Sequence, residues 1–379
     1  MSRLRSGLAA WLTLVTCFSA AGMELDRGDF AGGSYDLRGY LRVDEDLSLG
    51  ADASPGVSQR TSDLRRVRLG VGALWDGDWV AHVAGNFARR SALRDLWLEY
   101  RGWPVRIEVG RFPEPFSLGE SIASTDSLLA TLASPAVLGP DYGLGVGFNY
   151  RGEDWGIAAG TFTRNGGPTL SGLYPESANT ARVTWRPLAG EQGYLHVGLS
   201  ASQRQVAPGA GVQLFGSAES GLLLGMAPQS PLVGAADRYR LLAAELMFRL
   251  GPVMGLAETI QAQVANGGPA WHGAYAEAAW CLTGEQRSYS TRYGTIGGIS
   301  PDRPVDLGGW GAWEVAARWS VTDLSDGGGD RGQVATLGLN WYPVDAIRLS
   351  LIAQHAHLEP AGQDPRDSNL AQLLLQFSL

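Results

Sequence analysis

The sequence predicts an all-β chain folded as a sixteen-stranded antiparallel transmembrane β-barrel, and three observations carry that prediction. Beyond the first 22 residues, no apolar run approaches the roughly 18 residues a membrane helix needs. Sixteen segments of about ten residues alternate an apolar parity with a small, polar or charged one. Their connections fall into short turns on one side and long loops on the other. A soluble sandwich also alternates, but its polar face meets water and carries Lys, Glu and Thr rather than Gly.

Residues 1–22 read as an export signal. Arg3 and Arg5 precede the apolar stretch Leu8–Phe18, and Ser19-Ala20-Ala21 offers small residues for cleavage. Residues 23–379 then form a single barrel. Loss of the signal takes the formal charge from −8 to −10. That acidic balance argues against a nucleic-acid binder, which shows a basic stripe. With Cys17 in the signal, Cys281 stands alone and no disulfide framework exists. The 52 Gly are about double the usual share of roughly 7%, and every one of the 30 basic residues is Arg.

The segments lie at roughly 34–44, 65–75, 78–87, 93–101, 104–111, 142–150, 154–163, 179–186, 193–205, 237–249, 252–264, 272–283, 310–320, 332–342, 345–356 and 369–379. In the second, Val67, Leu69, Val71, Ala73 and Trp75 alternate with Arg66, Arg68, Gly70 and Gly72. Short links follow the even segments. Asp76-Gly77 is a type I′ hairpin signal, and Gly102-Trp103, Arg151-Gly152-Glu153, Pro187–Gln192, Leu250-Gly251 and Pro343-Val344 keep the pattern. Only 284–309 breaks it. Beside these turns stand Trp75, Trp79, Tyr100, Trp103, Tyr150, Trp155, Trp185, Trp341 and Tyr342, an expected interfacial girdle.

If the apolar parity faces lipid, the other lines the lumen. It places Asp36, Arg38, Arg42, Asp44, Arg66, Arg68, Asp95, Glu99, Arg106, Glu108, Arg182, Arg186, Glu314, Arg318 and Arg348 inside. Rings of Arg in a narrow lumen attract anions, and guanidinium matches phosphate and carboxylate bidentately. The competing reading is that these Arg pair with neighbouring carboxylates and merely satisfy the wall. A sixteen-stranded barrel leaves a wide channel, so selectivity needs an inserted loop. The link 112–141, with a short helix expected within Leu118–Leu132, is the constriction candidate.

Val109-Gly110-Arg111-Phe112-Pro113-Glu114-Pro115-Phe116-Ser117-Leu118 resembles the stretch entering the third loop of the phosphate-selective porin O and P family. Arg65-Arg66-Val67-Arg68-Leu69-Gly70 resembles that family's Arg-rich second strand. Ala276-Glu277, then Leu282-Thr283-Gly284-Glu285 with Arg287 and Tyr289, resembles its tyrosine-bearing late segment. Gly311–Ser320 and Leu337–Pro343 resemble its C-terminal strands. The resemblance implies an outer-membrane homotrimer of sixteen-stranded barrels with the third loop folded inward. It implies diffusion of anions, phosphate in the best-known members, past inward Arg. The sequence departs from those members in having no Lys, and in placing Asp126 after Ser124-Thr125 where a basic residue is usual. It ends in Leu379 where an aromatic is usual, with Phe377 the nearest substitute.

The expected function is therefore a passive porin for small anions, phosphate or polyphosphate among them. Arg38, Arg42, Arg66, Arg68, Arg106 and Arg111 are expected on the anion path. Arg111 sits on the lipid parity, so it counts only if its strand ends before it. Glu114, Glu120, Ser124, Thr125 and Asp126 are expected to shape the constriction. No enzyme is expected, for no P-loop, G-x-S-x-G or H-E-x-x-H motif occurs. No cofactor or metal is expected either, since His355 and His357 share a strand face without an evident third ligand. The alternatives are a general or cation-preferring porin, favoured by Asp126 and the acidic total, and a barrel-anchored enzyme or adhesin.

Overall fold

The computed structural model describes residues 23–30, 33–51, 62–88, 92–163, 175–220, 223, 225–291 and 294–378. The expected signal, 1–22, and the terminal Leu379 lie outside them. In chain order the strands are β1 (Met23–Phe30), β2 (Gly33–Ala51), β3 (Ser62–Trp75), β4 (Trp79–Asn86), β5 (Ala92–Tyr100), β6 (Val105–Pro113), β7 (Tyr142–Arg151), β8 (Trp155–Thr163), β9 (Pro175–Gly190) and β10 (Gly193–Val206). They continue with β11 (Arg238–Leu250), β12 (Val253–Val264), β13 (Ala270–Cys281), the two-residue strands β14 (Tyr289–Ser290) and β15 (Thr295–Ile296), then β16 (Ala312–Asp323), β17 (Arg331–Val344), β18 (Ile347–Glu359) and β19 (Arg366–Ser378).

Sixteen of these, all but β1, β14 and β15, form the wall, each antiparallel to the next. The last wall strand pairs with the first, from Leu370↔Ala51 to Ser378↔Arg42, so the sheet closes on itself. The predicted segments match these strands to within a few residues, except that β2 and β9 run longer. β1 was not anticipated. It pairs with Gly33–Gly39 of β2, along the edge that β19 leaves uncovered.

The apolar parity faces outward. Leu69, Val71, Leu96, Leu98, Leu144, Phe148, Val183, Leu246, Trp319, Leu337 and Leu351 are all exposed, which is the band expected of a lipid-facing wall. The short-turn ends carry stacked, tilted or edge-on ring pairs, Trp75–Trp79, Trp79–Tyr100, Tyr100–Trp103, Tyr150–Trp155 and Trp313–Trp341, which build the girdle. Tyr342 corrects the expectation, because it turns inward, is buried, and accepts a hydrogen bond from Arg287.

The core lies inside the barrel. Over β11–β13 much of the inner parity is apolar as well (Leu241, Met247, Ile260, Trp271) and is covered by inserted loops. The link 112–141 supplies Phe116, Leu118, Leu128, Leu129 and Leu138 to that core. The link after β10 supplies Val212 and Leu214 here, and Ala218, Leu223 and Met226 against β17–β19. Lumen glycines make this possible. A Cβ on Gly338 would stand 2.5 Å from Leu129 Cδ2, and one on Gly273 would stand 2.3 Å from Pro135 Cβ. Part of the Gly excess is thus the space into which loops pack.

The predicted helix is shorter than expected. It is a single turn, α1 (Leu118–Ser121), and a 3-10 turn follows at Ser134–Leu138. Among the described residues, no helix is long and apolar enough to cross a membrane.

Candidate functional site

The loop 112–141 is stitched to the far wall by carboxylates and guanidiniums that alternate in sign. Glu258 on β12 accepts from the backbone N–H of Leu118 (2.8 Å) and Gly119 (3.2 Å), from Ser117 Oγ (3.0 Å) and from Tyr275 OH (2.9 Å). It occupies the start of α1, where orphan N–H groups need acceptors. Arg348 on β18 donates to the carbonyls of Ser127 and Leu128, both at 2.8 Å. Arg318 on β16 donates to the Thr131 carbonyl at 2.8 Å and pairs with Glu219 and Glu277. Glu114 is buried against Arg204 at 2.7 Å and accepts from Thr180 Oγ1 at 2.7 Å.

The link after β13, the exception to the short-turn pattern, enters the lumen from the opposite end. Its Arg287 pairs with Glu314 at 2.8 Å, both side chains 2% exposed, and donates to the carbonyls of Gly297 and Asp126. Asp126, at the tip of the constriction loop, therefore meets a segment arriving from the other mouth. Tyr289 of the same link contacts His196 Nδ1 at 2.8 Å, and His196 is held by Glu245, which also pairs with Arg182.

These insertions fill the β10–β18 side and leave a cavity of about 630 Å³ along β3–β9. Arg66, Arg68, Arg94, Arg106, Arg151 and Arg182 line it, together with Asp95, Glu99, Glu108, Glu114, Glu120, Asp126 and Asp141. The structure thus divides the predicted lumen Arg into two sets. Arg182, at the cavity's border, and Arg318 and Arg348 are buried in ion pairs or carbonyl contacts and fasten loops, and half-buried Arg186 pairs with Asp154. Arg66, Arg68 and Arg106 face the cavity. Arg66 donates to Ser124 Oγ of the constriction loop. Arg106 is 31% exposed and stands 3.5 Å from Glu99. Among the described residues, the Arg68 Nε has no hydrogen-bond partner.

Arg111 is a correction. β6 runs on to Pro113, so the strand does not end before Arg111, and this residue is not in the cavity lining. Its Nε donates to the Arg94 carbonyl at 3.1 Å and its guanidinium lies 5.7 Å from the centre of the Tyr142 ring. Arg38 and Arg42 fall on the backbone of β2, but their side chains lie outside the described residues. Thr125 is half-buried in the loop but is not part of the cavity lining. Cys281 is buried, with Sγ 3.2 Å from Glu285 Oε2.

Arg94 was missed. It is the extra residue of a β-bulge, since Ala84 pairs with Asp95 and Gly85 with Leu93. Strict alternation assigns it to lipid, whereas it lies 3.2 Å from Asp141 and 4.4 Å from the centre of the Tyr142 ring. Beside this cluster stands Glu120, half-buried on α1. Burial and the neighbouring Asp141 push its carboxyl up to about 8, although Arg94 and Arg66 pull the other way. That shift favours the protonated form of this cavity acid at neutral pH.

The family model described as phosphate-selective porin O and P matches residues 39–379. Porin O of Pseudomonas aeruginosa is 22% identical over 394 residues, covering 91% of this chain and 88% of that protein. Among solved structures, the outer membrane channel DcaP of Acinetobacter baumannii has a TM-score of 0.58 at 11% identity, over 95% of this chain and 100% of its own. An anion-selective porin from Comamonas acidovorans has a TM-score of 0.56 at 12% identity, over 91% and 100%. At these identities the structures speak to the barrel fold, and the family model to kinship. A closed antiparallel wall, an exposed apolar band and a loop-narrowed lumen accompany that match: the chain belongs to the phosphate-selective porin O and P family and is an outer-membrane porin.

Proposed function

We propose that this porin passes small anionic solutes by passive diffusion, phosphate or polyphosphate among them, as a homotrimer exported by its N-terminal signal. The observation that carries the reading is the division of the lumen guanidiniums. Arg287 and Arg318 on the loop-filled side, and Arg182 at the cavity's border, are paired with carboxylates at close range, while Arg66, Arg68 and Arg106, the last 3.5 Å from Glu99, line the cavity. Planar guanidinium binds phosphate and carboxylate through parallel N–H donors, and the low-dielectric wall strengthens that attraction. Arg38 and Arg42 extend the same path in this reading. Ser124, through its contact with Arg66, ties the constriction loop to it. The chain acts as a channel without catalysing a reaction.

Asp95, Glu108 and Asp126 in the same lining favour the second reading, a general or cation-preferring pore. Reversal potentials in a planar bilayer under a tenfold KCl gradient separate the two. The expected sign is that of chloride preference, reduced about threefold in permeability ratio by the double variant Arg66→Gln, Arg68→Gln, as removal of screened charges requires. Cation preference in the parent protein overturns the anion reading. Block of chloride current by millimolar phosphate is the expected mark of phosphate as a solute.

A further inference from the structure

The link between β13 and β16 divides into two parts with opposite destinations. Several residues of its first part, Glu285, Arg287, Thr295, Ile296 and Ile299 among them, are buried, and Arg287 reaches the Asp126 carbonyl of the constriction loop. Its second part emerges at the rim, and there Leu307 is 83% and Trp310 is 76% exposed, with Val305 beside them at 42%. Two observations place the backbone of this segment. Trp341, on the outward parity of β17 and stacked on Trp313, donates its indole N–H to the Trp310 carbonyl at 2.8 Å. The segment therefore lies against the outer side of the girdle. On the same outward face and near the same strand ends stand Trp280, Leu282 and Val315, all exposed, with Val315 opposite Trp280.

Several backbone N–H groups of this segment are paired within it. A 3-10 turn spans Val305–Leu307, Gly309 N–H donates to the Pro304 carbonyl and Gly311 N–H to the Arg303 carbonyl, each at 2.9 Å. Such pairing lowers the cost of bringing backbone polar groups toward the hydrocarbon, where partners are absent. An aromatic ring and an aliphatic side chain at the membrane–water interface are the residue types that anchor there.

We propose that Asp302–Trp310 is a membrane foot, with Leu307 and Trp310 inserted at the headgroup boundary of the phospholipid leaflet facing the short turns. The inference rests on the barrel being membrane-inserted. The occupant is phospholipid because the segment continues the lipid-facing girdle. The foot also gives the inserted part of the link a fixed point outside the barrel.

The test uses the full-length mature protein in phosphatidylcholine vesicles, in a Cys281→Ala background. An environment-sensitive fluorophore is placed at Leu307→Cys, at Leu351→Cys on the wall, or at Asp364→Cys in the opposite loop. Quenching by lipids with a nitroxide at a shallow or a deep acyl position is compared with quenching by aqueous iodide. The expected result at Leu307 is shallow-nitroxide quenching at least twofold stronger than deep, with iodide access below that at Asp364. Deep quenching at Leu351 reports insertion of the barrel independently. If Leu351 is quenched while Leu307 behaves like Asp364, the foot is overturned. Spin-label coupling between copies at Leu307, without lipid quenching, assigns the surface to a second copy of the chain and overturns it equally.

Discussion

Glu120 shows how one residue sets the electrical character of the cavity. It sits on a single helical turn whose start is occupied by Glu258, close to Arg66, Arg94 and Asp141. Burial and Asp141 hold its carboxyl up to about 8. The proton is therefore held at neutral pH and lost as pH rises through that value, which adds a negative charge to the anion path. Chloride-over-potassium permeability should fall about threefold between pH 7 and 9, the size of a screened unit charge a few ångströms from the ion's route. Glu120→Gln should flatten that profile at its neutral-pH level, as read from reversal potentials at fixed ionic strength. An unchanged profile in the variant would assign the titration to another group. The sequence named Glu120 as a constriction residue but carried no sign of its protonation, which depends on Asp141 and on loop burial that only the fold supplies.

At the scale of elements, the constriction loop is held by bonds from the wall more than by its own helix. α1 is four residues long and its N-cap Ser117 has a φ of 54°, an uncommon conformation for a side-chain-bearing residue. Three donors of the loop converge on Glu258, beside Tyr275 of the wall, to hold it there. Glu258→Ala should leave those donors unpaired, at about 1–3 kcal/mol for each buried group left unsatisfied. The expected outcome is a larger, noisier single-channel conductance and faster proteolysis within 112–141, while the barrel still resists denaturation in detergent. Quiet channels of parent conductance would mean that Arg348 and Arg318 suffice to hold the loop. The wall strands themselves were legible because alternation and turn length are local signals. The latches were not, because Glu258 and Ser117 lie far apart in sequence and meet only when the barrel closes. Arg94 was misplaced for a related reason, since a bulge resets parity without leaving a mark in composition. Arg111 was placed on the lipid parity correctly, but whether its strand ended there depended on pairing with β7.

For the whole molecule, closure is what turns sixteen marginal strands into one stable wall, and it depends on a single long-range pairing. Every other wall contact joins strands that are consecutive in the wall, but β19 must find β2 across almost the entire chain. β1 adds to that seam by covering the stretch of β2 that β19 does not reach. The register at the seam is the observable that reports the barrel as a whole. Val43 stands opposite Phe377, so cysteines at these two positions bring Cα atoms within the span a disulfide bridges. Gln376 is one residue away and points to the other face, because a strand reverses its side-chain direction at every residue. The double variant Val43→Cys, Phe377→Cys should form an intramolecular disulfide on mild oxidation, seen as a shift in gel mobility that reductant reverses. Val43→Cys, Gln376→Cys should not. A bond in the second pair alone would mean a slipped seam, with every lumen assignment on β2, Arg38 and Arg42 included, inverted toward lipid. Failure of both pairs would mean an open sheet, whose edge groups have no partners in a membrane.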